Sequence, residues 1–144
     1  MNDYRYDELR PGQTEATFTQ AVTAEMLDAF LSLSGDENPL HTDEAYARAH
    51  GFPGRVVYGM LTAALYSRLA GMYLPGRRCL LQEVDAAFHR PVFVGDVLTV
   101  SGVVKEKNDA FRRVTVSAVI RNQSGARVSK ATIQCGILEE GEAE

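Results

Sequence analysis

Asp36 and His41 are the side chains in this sequence best suited to move a proton on a substrate. They stand five positions apart in Gly35-Asp36-Glu37-Asn38-Pro39-Leu40-His41. A carboxylate and an imidazole that titrates near neutrality can hold one water between them and exchange its protons with a bound molecule. Pro39 disfavours helical geometry at Asn38, so the spacing predicts a turn between two helices with both side chains on one side of it. Spacing alone leaves a plainer reading open, with Asp36 as a turn former, Asn38 and Asp43 as loop and cap residues, and His41 as a surface histidine. A metal site is not expected. Of His41, His50 and His89, His50 falls on a different predicted segment from His41, and neither Cys79 nor Cys135 belongs to a close Cys pair or a Cys/His cluster. Both cysteines lie in apolar-rich stretches, which predicts buried free thiols. Neither has a local activating pattern, which disfavours a cysteine nucleophile.

The elements that must position the pair can be read from period and punctuation. A strand is expected over residues 14–20. Thr23 can then cap a helix marked by Met26, Leu27, Phe30 and Leu31, which Gly35 and Asn38-Pro39 break, leaving a loop over 35–40. Residues 43–49 read as a short helix ended by Gly51 and Pro53-Gly54. Residues 60–74 are apolar on more than one face, which predicts a buried helix, stopped by Pro75-Gly76. The period then changes. Residues 79–89 alternate imperfectly, with Val84, Ala86 and Phe88 on one face and Glu83, Asp85 and Ala87 on the other. Residues 97–107, 111–121 and 127–137 read as three further strands in an antiparallel meander. The plan is α+β: one antiparallel sheet wrapped around a long central helix, spanning 1–144 as a single domain with a loose polar N-terminus over 1–12 and an acidic tail over 139–144. Such a sheet leaves an edge and a face uncovered, so a homodimer is expected.

Composition narrows the function classes. The chain has 144 residues, 45% of them hydrophobic, which suffices for a core without disulfides or metal. Its 15 basic and 19 acidic residues give a net charge of −4. That argues against a nucleic-acid partner held by phosphate contacts, yet leaves room for a small basic patch. The first residues carry no apolar leader, and no run approaches the roughly 20 apolar residues of a membrane span, so no membrane partner and a cytoplasmic setting are expected.

The run Phe30-Leu31-Ser32-Leu33-Ser34-Gly35-Asp36-Glu37-Asn38-Pro39-Leu40-His41-Thr42-Asp43, followed by Val57-Tyr58-Gly59-Met60-Leu61-Thr62-Ala63 and later by Arg90-Pro91-Val92-Phe93-Val94-Gly95-Asp96, resembles the MaoC-like, (R)-specific enoyl-CoA hydratase family. The resemblance spans about residues 14–137, and the combination of segments is specific where each alone is not. It implies a hot-dog fold and homodimers with sites in a tunnel at the interface. It also implies a lyase that reversibly hydrates trans-2-enoyl thioesters to (R)-3-hydroxyacyl thioesters, without a cofactor. The expected substrate is an acyl-CoA or an acyl-carrier thioester, as in fatty acid metabolism. Residue by residue, it implies that Asp36 and His41 are catalytic, that the Gly59 N–H polarises the thioester carbonyl, and that Ser67 hydrogen-bonds the aspartate.

The residues agree with that implication. Hydration puts a hydroxyl on Cβ and a proton on Cα, work for an acid–base pair. Gly59 stands where the buried helix begins, so its free N–H and the helix dipole can stabilise charge on the thioester oxygen. The chain departs from the family at Tyr58, where members usually carry histidine. This residue packs before the helix or lines the acyl tunnel, and bears on substrate choice. Arg48, Arg55, Arg77, Arg78 and Arg90 are candidate phosphate contacts, and Leu65, Leu69, Met72 and Phe88 candidate acyl-pocket residues. Two other readings stay open: a hot-dog thioesterase, in which water attacks the carbonyl, and a non-catalytic acyl-thioester-binding dimer. The Gly-Asp-x-Asn-Pro-x-His signature favours hydration.

Overall fold

The computed structural model describes residues 1–139. Its strands are β1 (Glu15–Ala21), β2 (Cys79–Phe88), β3 (Val97–Asn108), β4 (Arg113–Arg121) and β5 (Arg127–Ile137). They form one antiparallel sheet in the order β1-β3-β4-β5-β2. Between β1 and β2 run α1 (Ala24–Ser34), α2 (Pro39–Thr42), α3 (Glu44–Ala49) and α4 (Gly59–Met72). The expected α+β plan, a hot-dog-like sheet around a central helix, is the one observed.

Alternation builds the core. Val100 and Val104 of β3, Val114, Val116 and Ile120 of β4, and Ile133 and Cys135 of β5 are buried, together with Leu61, Leu65 and Leu69 of α4. The helix touches the sheet at Gly102, where a Cβ would lie 2.7 Å from Leu69 Cδ2 and 3.1 Å from Val116 Cγ1, so any larger residue would make those side chains shift. A buried polar chain adds direction to the packing. Tyr66 Oη donates to Ser129 Oγ at 2.8 Å, and Ser129 Oγ donates to the Ala87 carbonyl at 2.8 Å, tying α4 to β5 and β2. The imperfect alternation of β2 has a local cause: its register against β5 shifts between Leu81 and Glu83, a bulge that returns Val84, Ala86 and Phe88 to one face.

Three expectations need correction. The N-terminus is not loose: Tyr6 and Leu9 are buried, and Asn2 N–H donates to the Met72 carbonyl at 2.8 Å. The few apolar side chains of this polar stretch join the core cluster, and Tyr6 lies against Lys107 and Arg112 beside the turn between β3 and β4. Second, α4 is not covered all round. Leu61, Leu65, Tyr66 and Leu69 are buried, but Met60 is 66% exposed and Ala64, Ser67 and Met72 also face outward. Third, Cys135 is buried but Cys79 only partly so, although both are free thiols as expected. The acidic tail falls, beyond Glu139, outside the described residues; Arg112 Nε donates to Glu139 Oε1 at 2.9 Å.

Tyr6 yields a pH prediction. Burial, then its 2.7 Å hydrogen bond to Asp109 Oδ1, push its phenol up from 10.0 to about 12. The folded state thus favours the neutral phenol, so this contribution is intact below the unfolded value and is lost as pH rises through the folded one. Urea midpoints should therefore fall between pH 9 and pH 12 (~), and Tyr6→Phe should flatten that fall.

Candidate active site

Local hydrogen bonds set the loop between α1 and α2. Thr23 Oγ1 accepts from Met26 N–H at the start of α1, as expected. Gly35 ends α1 in left-handed geometry at φ 68°, with its N–H donating to the Leu31 carbonyl. Three side chains then hold successive N–H groups: Asp36 N–H donates to Ser34 Oγ at 3.1 Å, Asn38 N–H to Asp36 Oδ1 at 3.1 Å, and Leu40 N–H to Asn38 Oδ1 at 3.0 Å. Asn38 is extended before Pro39, and Pro39 starts a one-turn helix. His41 therefore sits on that helix, α2, and not on the expected open turn.

The His41 ring is oriented by the backbone. Its Nδ1 lies 2.6 Å from the Val56 carbonyl oxygen. A carbonyl only accepts, so Nδ1 carries the hydrogen and Nε2 is left for a substrate or water. Arg55 Nε donates to the His41 carbonyl at 2.6 Å while its Nη2 pairs with Asp28 at 3.0 Å, which fastens α2 to α1.

Tyr58 joins the two candidate groups. Its ring stacks on His41 with centroids 4.2 Å apart and lies 4.7 Å from Phe30, and its hydroxyl donates to the Asp36 carbonyl at 2.7 Å. It is 2% exposed. Burial, and next the Asp36 carboxylate, push its phenol above the ordinary tyrosine range, so it stays a donor at neutral pH. Tyr58 is thus a buried strut between Asp36 and His41, a role that neither packing nor tunnel lining anticipated.

His41 and Gly59 share a cavity of about 330 Å³, walled also by Phe88, Val92 and Val128. Gly59 is the first residue of α4, so its N–H has no intrahelical acceptor. Asp36 is exposed on the adjoining loop and not in the wall of this cavity. Within one chain Ser67 is not brought to Asp36: it faces outward on α4, and the Asp36 carboxylate accepts from Asn38 N–H. Of the candidate phosphate contacts, Arg48 pairs with Glu44 at 2.7 Å, Arg55 with Asp28 and Arg78 with Asp3 at 2.8 Å, while Arg77 is exposed and Arg90 lines the cavity. Leu65 and Leu69 are core residues, Met72 is exposed, and Phe88 reaches the cavity. Among the described residues no group of three or more His, Cys, Asp or Glu is placed to hold a metal ion, and no helix is long and apolar enough to cross a membrane.

This sheet-wrapped helix, with a polar loop delivering a histidine to the start of that helix, defines a class. A model of the MaoC like domain matches residues 8–125, and the chain belongs to that hot-dog family. It is related to the (R)-specific enoyl-CoA hydratases. It is 37% identical over 118 residues to the Aeromonas caviae protein of that name, covering 82% of this chain and 87% of that one. It is 30% identical over 112 residues to a 3-hydroxybutyryl-CoA dehydratase of Methylorubrum extorquens, covering 78% of this chain and 71% of that one. The solved structure of an (R)-hydratase from Pseudomonas aeruginosa superposes with a TM-score of 0.87 at 36% identity, covering 96% of this chain and 91% of that one.

Proposed function

We propose that this protein is a hydro-lyase of acyl thioesters that reversibly adds water to a trans-2-enoyl thioester, giving the (R)-3-hydroxyacyl thioester. The observation that carries the reading is the convergence on one cavity of His41 and Gly59, the residue that opens α4, with the Asp36 backbone strutted to the same histidine through Tyr58. The (R) outcome and the CoA carrier rest on the named relatives. Asp36 takes a proton from the water as its oxygen bonds to Cβ. The double-bond electrons move toward Cα and the thioester oxygen, where the Gly59 N–H meets the developing charge. Protonated His41 delivers its Nε2 proton to Cα, and the proton on Asp36 returns to His41 through solvent. One water is consumed and the thioester bond stays intact.

The test is hydration of crotonyl-CoA and longer trans-2-enoyl-CoAs by the purified protein, followed by enoyl absorbance and chiral analysis. Loss of enoyl signal with an (R)-3-hydroxy product and no free thiol is the expected result. Free CoA with the enoyl group intact would replace this reading with thioesterase chemistry, and binding without turnover would replace it with the non-catalytic one.

A homodimer belongs to the same reading. β2 is an edge strand carrying Leu80, Leu81, Val84 and Phe88, each between 37% and 51% exposed, and the open side of α4 adds Met60. An uncovered apolar edge of this kind calls for a partner. Light scattering should give twice the chain mass, and Val84→Glu with Leu81→Glu should shift it toward one chain with the far-UV spectrum kept.

A further inference from the structure

We propose that Arg90 and Arg127, with His89 beside them, bind the phosphate at the end of the pantetheine arm that presents the acyl group. The inference rests on the thioester reading above and extends it to the carrier. A second cavity, of about 540 Å³, is lined by His89, Arg90 and Arg127. It adjoins the reaction cavity, because His89 and Arg90 line both. Backbone pairing builds this corner. Phe88, the last residue of β2, pairs with Ser129 of β5. The chain then stays attached, with His89 N–H donating to the Val128 carbonyl at 2.8 Å and Arg90 N–H to the same oxygen at 3.4 Å. That anchor sets residues 89 and 90 against the start of β5, whose first residue is Arg127. Arg127 in turn opposes Arg121 at the end of β4.

The charges at this corner are uncompensated. Arg48, Arg55, Arg78 and Arg112 each pair with a carboxylate. Among the described residues, neither Arg90 nor Arg127 has such a pair. In a chain of net charge −4, two unpaired guanidinium groups and an imidazole around one cavity are not a consequence of general basicity. Guanidinium forks match phosphate oxygens two at a time, and an anionic ligand relieves the repulsion between them. The chemistry of the carrier meets this arrangement. From the thioester outward, the cysteamine, β-alanine and pantoate units are neutral, and the first charge is the 4′-phosphate. From the reaction cavity outward, the adjoining cavity is the basic one. The 4′-phosphate is common to CoA and to the prosthetic arm of an acyl carrier, so the corner serves either source.

The test compares crotonyl-CoA, crotonyl-4′-phosphopantetheine and crotonyl-pantetheine as substrates of wild type, Arg90→Gln, Arg127→Gln and the double variant. The readout is the ratio of kcat/KM for a phosphorylated over the unphosphorylated thioester within each protein, which cancels any disturbance at the reacting centre. The ratio should fall about tenfold in each single variant, through KM, for both phosphorylated substrates. Raised salt should erode the wild-type ratio more than that of the double variant. A ratio unchanged by both substitutions overturns the proposal. A fall confined to crotonyl-CoA overturns the 4′-phosphate assignment in favour of the nucleotide phosphates. Titration of CoA itself into the same proteins reads the corner without turnover, with Kd expected to weaken about tenfold in Arg127→Gln. Failure of all three thioesters to react would thus defeat the hydratase reading while this titration still decided the site.

Discussion

Asp36→Asn and His41→Ala should each lower crotonyl-CoA hydration by about a thousandfold, the range expected when a positioned general acid or base is removed. The two substitutions differ in what else they disturb. Asparagine keeps an oxygen that can accept the Asn38 N–H, so the bonds that shape the loop survive and only the proton acceptor is lost. Asp36→Asn should therefore melt within a few degrees of wild type while being nearly inactive. His41→Ala removes more: the Nδ1 bond to the Val56 carbonyl and the ring stacked on Tyr58 both go. A carbonyl stripped of its donor costs roughly 1–3 kcal/mol when water cannot replace it. Lower stability together with lost activity is the expected pair of results. Retention of more than a tenth of the wild-type kcat by either variant would remove that residue from the proton-transfer scheme.

How much of this was legible in the sequence depended on the range of the interactions involved. Helix caps are local, and Thr23, Asn38 and Asp43 each accept the N–H that their residue types foretell. Strand boundaries set by alternation were equally readable: β5 runs from Arg127 to Ile137 as expected, whereas β4 starts two residues late because Phe111 stays in the turn, 73% exposed. The open side of α4 was not readable, because an apolar face looks the same whether its own chain or another copy covers it. Nor was the packing of Tyr6 and Leu9, two apolar side chains in an otherwise polar stretch that carry no period.

The site divides along the same line. Asp36 and His41 stood out by residue type and spacing, and Gly59 by resemblance. The groups that orient them did not, because two of those contacts end on main-chain oxygens, the Val56 carbonyl under His41 and the Asp36 carbonyl above Tyr58. A carbonyl has no residue type to recognise. Arg127 was passed over for a related reason: it is distant in sequence from Arg90, and only the register of β2 on β5 makes them neighbours. Ser67, implied by the resemblance alone, is exposed in the single chain, on the same open side of α4 that the proposed dimer would cover.

Tyr58→Phe isolates the contribution of the strut. The substitution deletes one hydroxyl and keeps the ring stacked on His41 and packed on Phe30. Asp36 is exposed, so water can take over its carbonyl, and the stability cost should be only about 1 kcal/mol. Turnover is more sensitive than stability, since reacting groups displaced by about 1 Å can lose a hundredfold in rate. Without the hydroxyl, the Ser34–Asp36–Asn38 bonds still shape the loop and the His41 N–H still donates to the Asn38 carbonyl at 3.0 Å, but none of these bonds reaches the His41 ring. The expected outcome is a kcat for crotonyl-CoA hydration reduced between tenfold and a hundredfold (~), with KM changed less than about threefold, because no contact to the carrier is touched. Tyr58→Ala also removes the ring, and should add a cavity cost of roughly 3–5 kcal/mol to the same loss of turnover. If Tyr58→Phe keeps the wild-type kcat, the three loop bonds suffice to aim the carboxylate, and the strut serves packing alone. A loss of kcat without a matching loss of stability or a rise in KM would instead make the 2.7 Å bond from Tyr58 to Asp36 a determinant of the alignment between acid and base.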